Sequence, residues 1–385
     1  MRKYKVIILI TLTVFVSCRQ MPKQESSGDN IDVSHFLNLE QEIRRLSEFV
    51  PDIEYFRPLA TAGSYFQLMG ISYIGPDFVI LYEKRTCQLY AYKRDGQFIA
   101  KLGAYGNAPL EYRTIPEVFV FQNIEEIHLF DERGRKILRY SFDMEFIGSI
   151  KLEIVPKAMA VYNNDYYICS YRNDNIRSLG GLDLIIRDPV SFNDINALWE
   201  PVSFEEATDY DKDLLRTYKF FSNRDTLFFV KQTSNEIVIY RIFEGEVTRL
   251  LVINLKGDQE DIYDEDSIVQ FGAMYFAGYL RLFFQAGREI HYAYYNISSK
   301  TISNFRIVND IDKGPDFFPM GSCEGGGYHG DDLKIPYFID FWKYGESDNY
   351  YNQIQSKYPE REKWLKEIIP NSLEDNPWIM ITLSE

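Results

Sequence analysis

The feature that most constrains this chain is a repeat. Val79–Ile99 returns as Ile127–Ile147 at a single ungapped offset of forty-eight residues. Leu81 falls on Leu129, Tyr82 on Phe130, Glu83 on Asp131, Leu89 on Ile137, Tyr92 on Tyr140, Asp95 on Asp143 and Phe98 on Phe146. One supersecondary unit is therefore used repeatedly, because such a unit buries its apolar surface only against its neighbours. A third copy lies a hundred residues beyond the second, with Leu227, Val230, Ile237, Tyr240 and Val247 on Ile127, Phe130, Ile137, Tyr140 and Ile147. Tyr166–Ile186 fills the gap as a degenerate copy. Leu280–Ile307 forms a fifth copy, and Ile335–Trp342 suggests a sixth.

Each copy reads as strands separated by turns. Runs rich in Val, Ile, Tyr and Phe alternate with polar breaks, and Asp95-Gly96 supplies the positive φ of a tight hairpin. Four-stranded units of forty to fifty residues stacked around an axis are propeller blades. The expected fold is all-β, a six-bladed β-propeller spanning residues 34–385. Its edges would close by pairing Ile53–Leu59 with a closing strand at 378–383. Two helical elements are expected beside the blades. One is a short N-terminal helix capped by Ser34, with Leu39, Ile43, Leu46 and Val50 on one stripe. The other is a helical insertion at about 349–369, where Tyr351, Ile354 and Tyr358 share a face.

The first seventeen residues read as a signal peptide. Arg2, Lys3 and Lys5 precede the apolar run Val6–Val16, which is too short for a permanent span. Phe15-Val16-Ser17-Cys18 resembles a lipobox, so Cys18 is the expected lipid attachment site. Residues 18–33 are the expected flexible tether, polar up to Asn30. The address is then the cell envelope, lipid-anchored. Arg19 after the cysteine resembles the outer-membrane sorting signal. A net charge of −15 argues against nucleic acid as partner. Cys87, Cys169 and Cys323 are odd in number and far apart, which indicates neither a disulfide framework nor a zinc site.

The chain resembles bacterial lipoproteins known as six-bladed β-propeller proteins, with NHL-like blades. The resemblance rests on Tyr92–Ile99, on the loop Gly106-Asn107-Ala108-Pro109-Leu110-Glu111-Tyr112, and on Glu374-Asp375-Asn376-Pro377-Trp378-Ile379. Ala108 and Leu110 stand where family members usually carry glycine. The resemblance implies the propeller fold and little about ligand.

Motifs for chemistry are sparse. Gly325–Gly330 satisfies G-x-G-x-x-G but lacks the following helix that would meet a pyrophosphate. The same loop gathers Glu324, His329, Asp331 and Asp332, the most site-like cluster for a ligand or a divalent cation such as calcium. Asp258–Asp266 carries six acids in nine residues but lacks a glycine turn for calcium. No HExxH, GxSxG, Walker or CxxC motif occurs. Aromatics make up 16 % of the chain, enough for both sheet packing and sugar stacking. The reading is a non-catalytic, membrane-tethered binding module for a protein or glycan ligand, with no required cofactor. The alternative is a metal-dependent hydrolase or lyase acting at the channel mouth. Function is expected where the copies disagree: Asp174–Gly181, Asp258–Asp266 and Gly321–Asp332.

Overall fold

The computed structural model describes residues 29–59, 69–171, 182–199, 218–255, 271–311, 336–339 and 378–383, with a few short interruptions. Three strands come first: β1 (Asp29–Asp32), β2 (Gln41–Arg45) and β3 (Asp52–Phe56). The first blade holds β4 (Met69–Ile74), β5 (Phe78–Glu83), β6 (Gln88–Lys93) and β7 (Phe98–Leu102). A linking loop carries two short parallel strands, β8 (Ala104–Tyr105) and β9 (Glu111–Tyr112). The second blade is β10 (Glu117–Phe121), β11 (Glu126–Asp131), β12 (Lys136–Ser141) and β13 (Phe146–Lys151). The third is β14 (Ala158–Tyr162), β15 (Asp165–Tyr171), β16 (Leu182–Arg187) and β17 (Asp194–Trp199). The fourth is β18 (Tyr218–Asn223), β19 (Thr226–Gln232), β20 (Glu236–Phe243) and β21 (Glu246–Asn254). The fifth is β22 (Phe271–Phe276), β23 (Tyr279–Ala286), β24 (Glu289–Asn296) and β25 (Ile302–Val308). Last come β26 (Pro336–Ile339) and β27 (Trp378–Leu383).

The molecule is an all-β propeller. Within each blade the strands meander antiparallel, and the first strands of neighbouring blades lie against each other: β4 with β10, β10 with β14, β14 with β18, β18 with β22. First strands are therefore innermost and fourth strands form the rim. Between blades the core is apolar. Ile80, Tyr82, Ile127 and Leu129 join the first two blades, and Phe228, Val230, Leu280 and Leu282 join the fourth and fifth.

The repeat has a structural reason. Tyr92, Tyr140 and Tyr240 each sit at a register shift between the third and fourth strands of a blade. A bulge there coils the outer strand, and a buried ring fills the space it opens. Tyr92 and Tyr140 pack edge-on against Phe98 and Phe146, at centroid distances of 5.7 and 5.6 Å. Turns repeat as well. Gly96 N–H donates to Lys93 O, and forty-eight residues later Met144 N–H donates to Ser141 O. Both take positive φ, 86° and 64°, which glycine adopts freely and methionine does not.

Three expectations need correction or placement. Six blades were expected; among the described residues five four-stranded blades are present, and the remaining sheet has three strands, ordered β26-β27-β3. It differs from the others because its strands come from both ends of the chain. The N-terminal helix does not run along its expected stripe: His35 is helical, but Gln41–Arg45 is a strand and Leu46–Glu48 a single 3-10 turn. Ile43, placed on the apolar stripe, is 68 % exposed. The open edge of β25 offers β2 a full row of hydrogen-bond partners, which outweighs a weak helical periodicity. The helical insertion at 349–369 lies outside the described residues, as do the signal peptide and Cys18.

The N-terminal segment instead forms a clasp. β1 runs parallel to β21 and β2 parallel to β25, covering the rims of the fourth and fifth blades. Asp29 ties the two blades: its carboxylate accepts from the Tyr295 hydroxyl and from Lys300 Nζ. Phe49, just beyond β2, stacks on Phe305 and contacts Phe276 and Tyr279, with the Arg44 guanidinium over its ring.

Candidate binding face

First strands start at one axial face, which also bears the hairpins between second and third strands and the links between blades. We call it the entry face. Strand ends flanking the divergent segments that belong to it are Tyr171 and Leu182 for Asp174–Gly181, Asn254 and Phe271 for Asp258–Asp266, and Val308 before Gly321–Asp332. The segments themselves, with Glu324, His329, Asp331 and Asp332, lie outside the described residues. No group of three or more His, Cys, Asp or Glu side chains able to hold a metal occurs among the described residues. Cys87 is half-buried and Cys169 buried, both as free thiols.

At the entry face one position recurs in every complete blade. The fifth residue of each second strand is Tyr82, Phe130, Cys169, Val230 or Phe283. Its inner-strand partners are Gly70, Glu117, Ala158, Lys219 and Gly272. The inner ring therefore reads glycine, acid, alanine, base, glycine. The glycines are required, since a Cβ on Gly70 would fall 1.9 Å from the Tyr82 ring and one on Gly272 1.8 Å from the Phe283 ring. Both aromatic rings lie over the inner strand where other blades carry a side chain.

Glu117 and Lys219 are the charged members. Glu117 is half-buried and Lys219 exposed, yet both lose hydration to the protein around them. That combination fits side chains standing in a narrow channel that water reaches. Burial, reinforced by the neighbouring Glu132 carboxylate, pushes Glu117 up to about 8. Burial lowers Lys219, and the opposite charge of Glu117 partly restores it. Near neutral pH the Glu117 carboxyl thus keeps its proton and can donate a hydrogen bond. Because the folded value exceeds the unfolded one, its stabilising contribution is complete below about 4.5 and is lost as pH rises through 8.

A second polar cluster lies between the second and third blades. Arg139 donates to both Glu126 oxygens, at 2.7 Å each, and His128 Nε2 meets Glu126 Oε2 at 2.8 Å. His128 Nδ1 lies 2.6 Å from the Tyr166 hydroxyl. Glu126 can only accept as a carboxylate, so Nε2 carries the proton and Tyr166 donates to Nδ1. His128 is wholly buried and contacts Phe121, with ring centroids 4.7 Å apart. Burial lowers His128 to about 4, against the opposing pull of Glu126. Burial alone would raise Glu126, but the hydrogen bonds from Arg139 and His128 outweigh it and hold its carboxyl below the usual range. This cluster fastens two blades, with His128 wholly buried and only the Arg139–Glu126 end partly exposed.

The family model described as Domain of unknown function (DUF4934) matches residues 29–382. The chain belongs to that family. A comparison with curated proteins found no match. Among solved structures, a Bacteroides fragilis protein described as exported is similar, with a TM-score of 0.61 at 12 % identity, over 92 % of this chain and 99 % of that one. A catalytically inactive virginiamycin B lyase from Staphylococcus aureus, crystallised with quinupristin, gives a TM-score of 0.36 at 14 % identity, over 66 % of this chain and 78 % of that one. At these identities the likeness to solved structures shows the fold alone. No helix among the described residues is long and apolar enough to cross a membrane.

Proposed function

We propose that this chain is an exported, lipid-anchored member of the family whose entry face binds a ligand without transforming it. In this reading the ring has six blades, β26, β27 and β3 belonging to the sixth. The observation that carries the binding role is the inner ring, where Glu117 and Lys219 stand two blades apart among glycine and alanine. An acid and a base at one level of the ring, beside two inner-strand glycines covered by the Tyr82 and Phe283 rings, suit a polar ligand of modest size, such as a glycan or a peptide end. The exported neighbour and the lipobox-like Phe15–Cys18 support the envelope address.

Two experiments test this. Thermal-shift screening of the body from Ser26 onward against glycans, glycopeptides and calcium should find a ligand that raises the melting temperature. Lys219→Met should remove that rise, whereas Glu117→Gln, which mimics the protonated acid, should keep it and extend it above pH 8. A hit indifferent to both substitutions moves the site away from the inner ring. Cys18→Ser should release the full chain from membranes, and unchanged retention would refute the anchor. The raised Glu117 carboxyl also favours a second reading, a hydrolase or lyase using it as proton donor. Product formation in the same incubations, lost in Glu117→Gln, would establish that reading instead.

A further inference from the structure

The link between the first two blades is built as a platform across their entry-face hairpins. Its β8 and β9 pair in parallel, and Gly106 N–H donates to Tyr112 O. Tyr112 is wholly buried, and its hydroxyl accepts from the Leu89 N–H at 3.1 Å, fastening the loop to the first blade. Arg113 N–H and Thr114 Oγ1 donate to the Asp131 carboxylate, and Lys136 Nζ donates to Pro109 O, fastening it to the second. The loop is thus held at both ends, to the first blade through Leu89 and to the second through Asp131 and Lys136.

What this frame displays differs in sign from the rest of the protein. Tyr105 is 59 % exposed and Leu110 47 % exposed. Arg113 is exposed beside them, with Lys84 and Arg85 on the first hairpin and Arg133 and Arg135 on the second. Acids of the same segments turn inward. Glu83 and Asp131 are buried, and the Glu111 carboxylate accepts from Ala108 N–H. Only Glu132 shares the exposed surface of these segments. Arg135 also donates to Glu153 O; the exposed cations nevertheless make a local field opposite in sign to the chain's net charge of −15.

We infer that this platform binds an acidic carbohydrate, a sugar chain bearing carboxylate or sulfate groups. Guanidinium forks match planar or trigonal oxyanions in paired hydrogen bonds, and the exposed Tyr105 ring gives a sugar a face to stack on. The chain's overall negative charge opposes long polyanions and admits a short segment of chain. This site is separate from the inner ring and does not depend on what the ring holds.

The test uses the full mature chain with fluorescent oligogalacturonate and heparin oligosaccharides. A neutral dextran fragment, duplex DNA and phosphatidylglycerol vesicles serve as comparisons. Binding to the acidic sugars is expected at low salt, weakening as salt rises. Arg113→Gln combined with Arg133→Gln should weaken it about tenfold or more and flatten the salt dependence. Tyr105→Ala should weaken it several-fold with the salt dependence unchanged, which a bare charge patch would not do. All these residues are exposed, so an unchanged melting temperature is expected and serves as the folding control. The inference is overturned if no acidic sugar binds, if the paired arginine variant binds like the wild type, or if DNA or vesicles bind as tightly with Tyr105→Ala without effect.

Discussion

Ending the chain at Asn376 is expected to abolish cooperative unfolding of the propeller. β27 is the middle strand of its sheet, with Ile379 opposite both Phe338 and Phe56, and Met380 opposite both Tyr337 and Tyr55. Its removal leaves β3 and β26 with no strand between them and exposes two edges at once. β3 and β27 come from opposite ends of the described chain, so their pairing fixes one end against the other. A folded domain is held by only about 5–15 kcal/mol in total, and the loss of a central strand is of that order. The expected result by circular dichroism and calorimetry is a broad transition, with proteolysis beginning near Asp52–Phe56. A truncated chain that still unfolds sharply at the wild-type temperature would show that this sheet does not hold the ring.

The second large effect belongs to the buried cluster. Glu126→Ala removes the acceptor of three hydrogen bonds and leaves the Arg139 guanidinium and the buried His128 without it. Losing these hydrogen bonds to charged groups in a partly buried pair costs about 2 kcal/mol, with the His128 Nε2 proton left without its acceptor. Tyr166→Phe removes one hydroxyl and should cost about 1 kcal/mol. The pH dependence follows from the folded values. His128 lies near 4 in the fold against an ordinary 6.5, so the unfolded chain takes up a proton first as pH falls. Stability is complete above 6.5 and declines as pH drops toward 4, and the lowered Glu126 carries the decline further. His128→Leu should flatten the melting temperature between pH 6.5 and 4. If the variant and the wild type track each other across that window, the assignment of the slope to His128 fails.

That cluster is only half legible in the sequence. Glu126 and His128 stand two apart on one strand, which puts both side chains on the same face. Nothing in the linear pattern says that Arg139 lies opposite and Tyr166 one blade away. The inner ring was hidden more deeply. Gly70, Glu117, Ala158, Lys219 and Gly272 share no residue type, and the registers of five separate sheets bring them to one level. The acidic loop residues Glu324, His329, Asp331 and Asp332 remain candidates from the sequence alone.

The sequence by itself determined the unit: strands, turns and bulge tyrosines repeat because each blade must present the same apolar faces to its neighbours. It also determined the all-β class, since alternating β-branched and aromatic runs with turns every eight to twelve residues have few other ways to be buried. Tertiary structure decided the exceptions. Gln41–Arg45 became a strand because a rim edge was open to it, a choice made by β25 rather than by its own residues. The Glu117 carboxyl is pushed up to about 8 by burial and by the Glu132 carboxylate, and a chain read one residue at a time carries no record of what will crowd around a carboxyl.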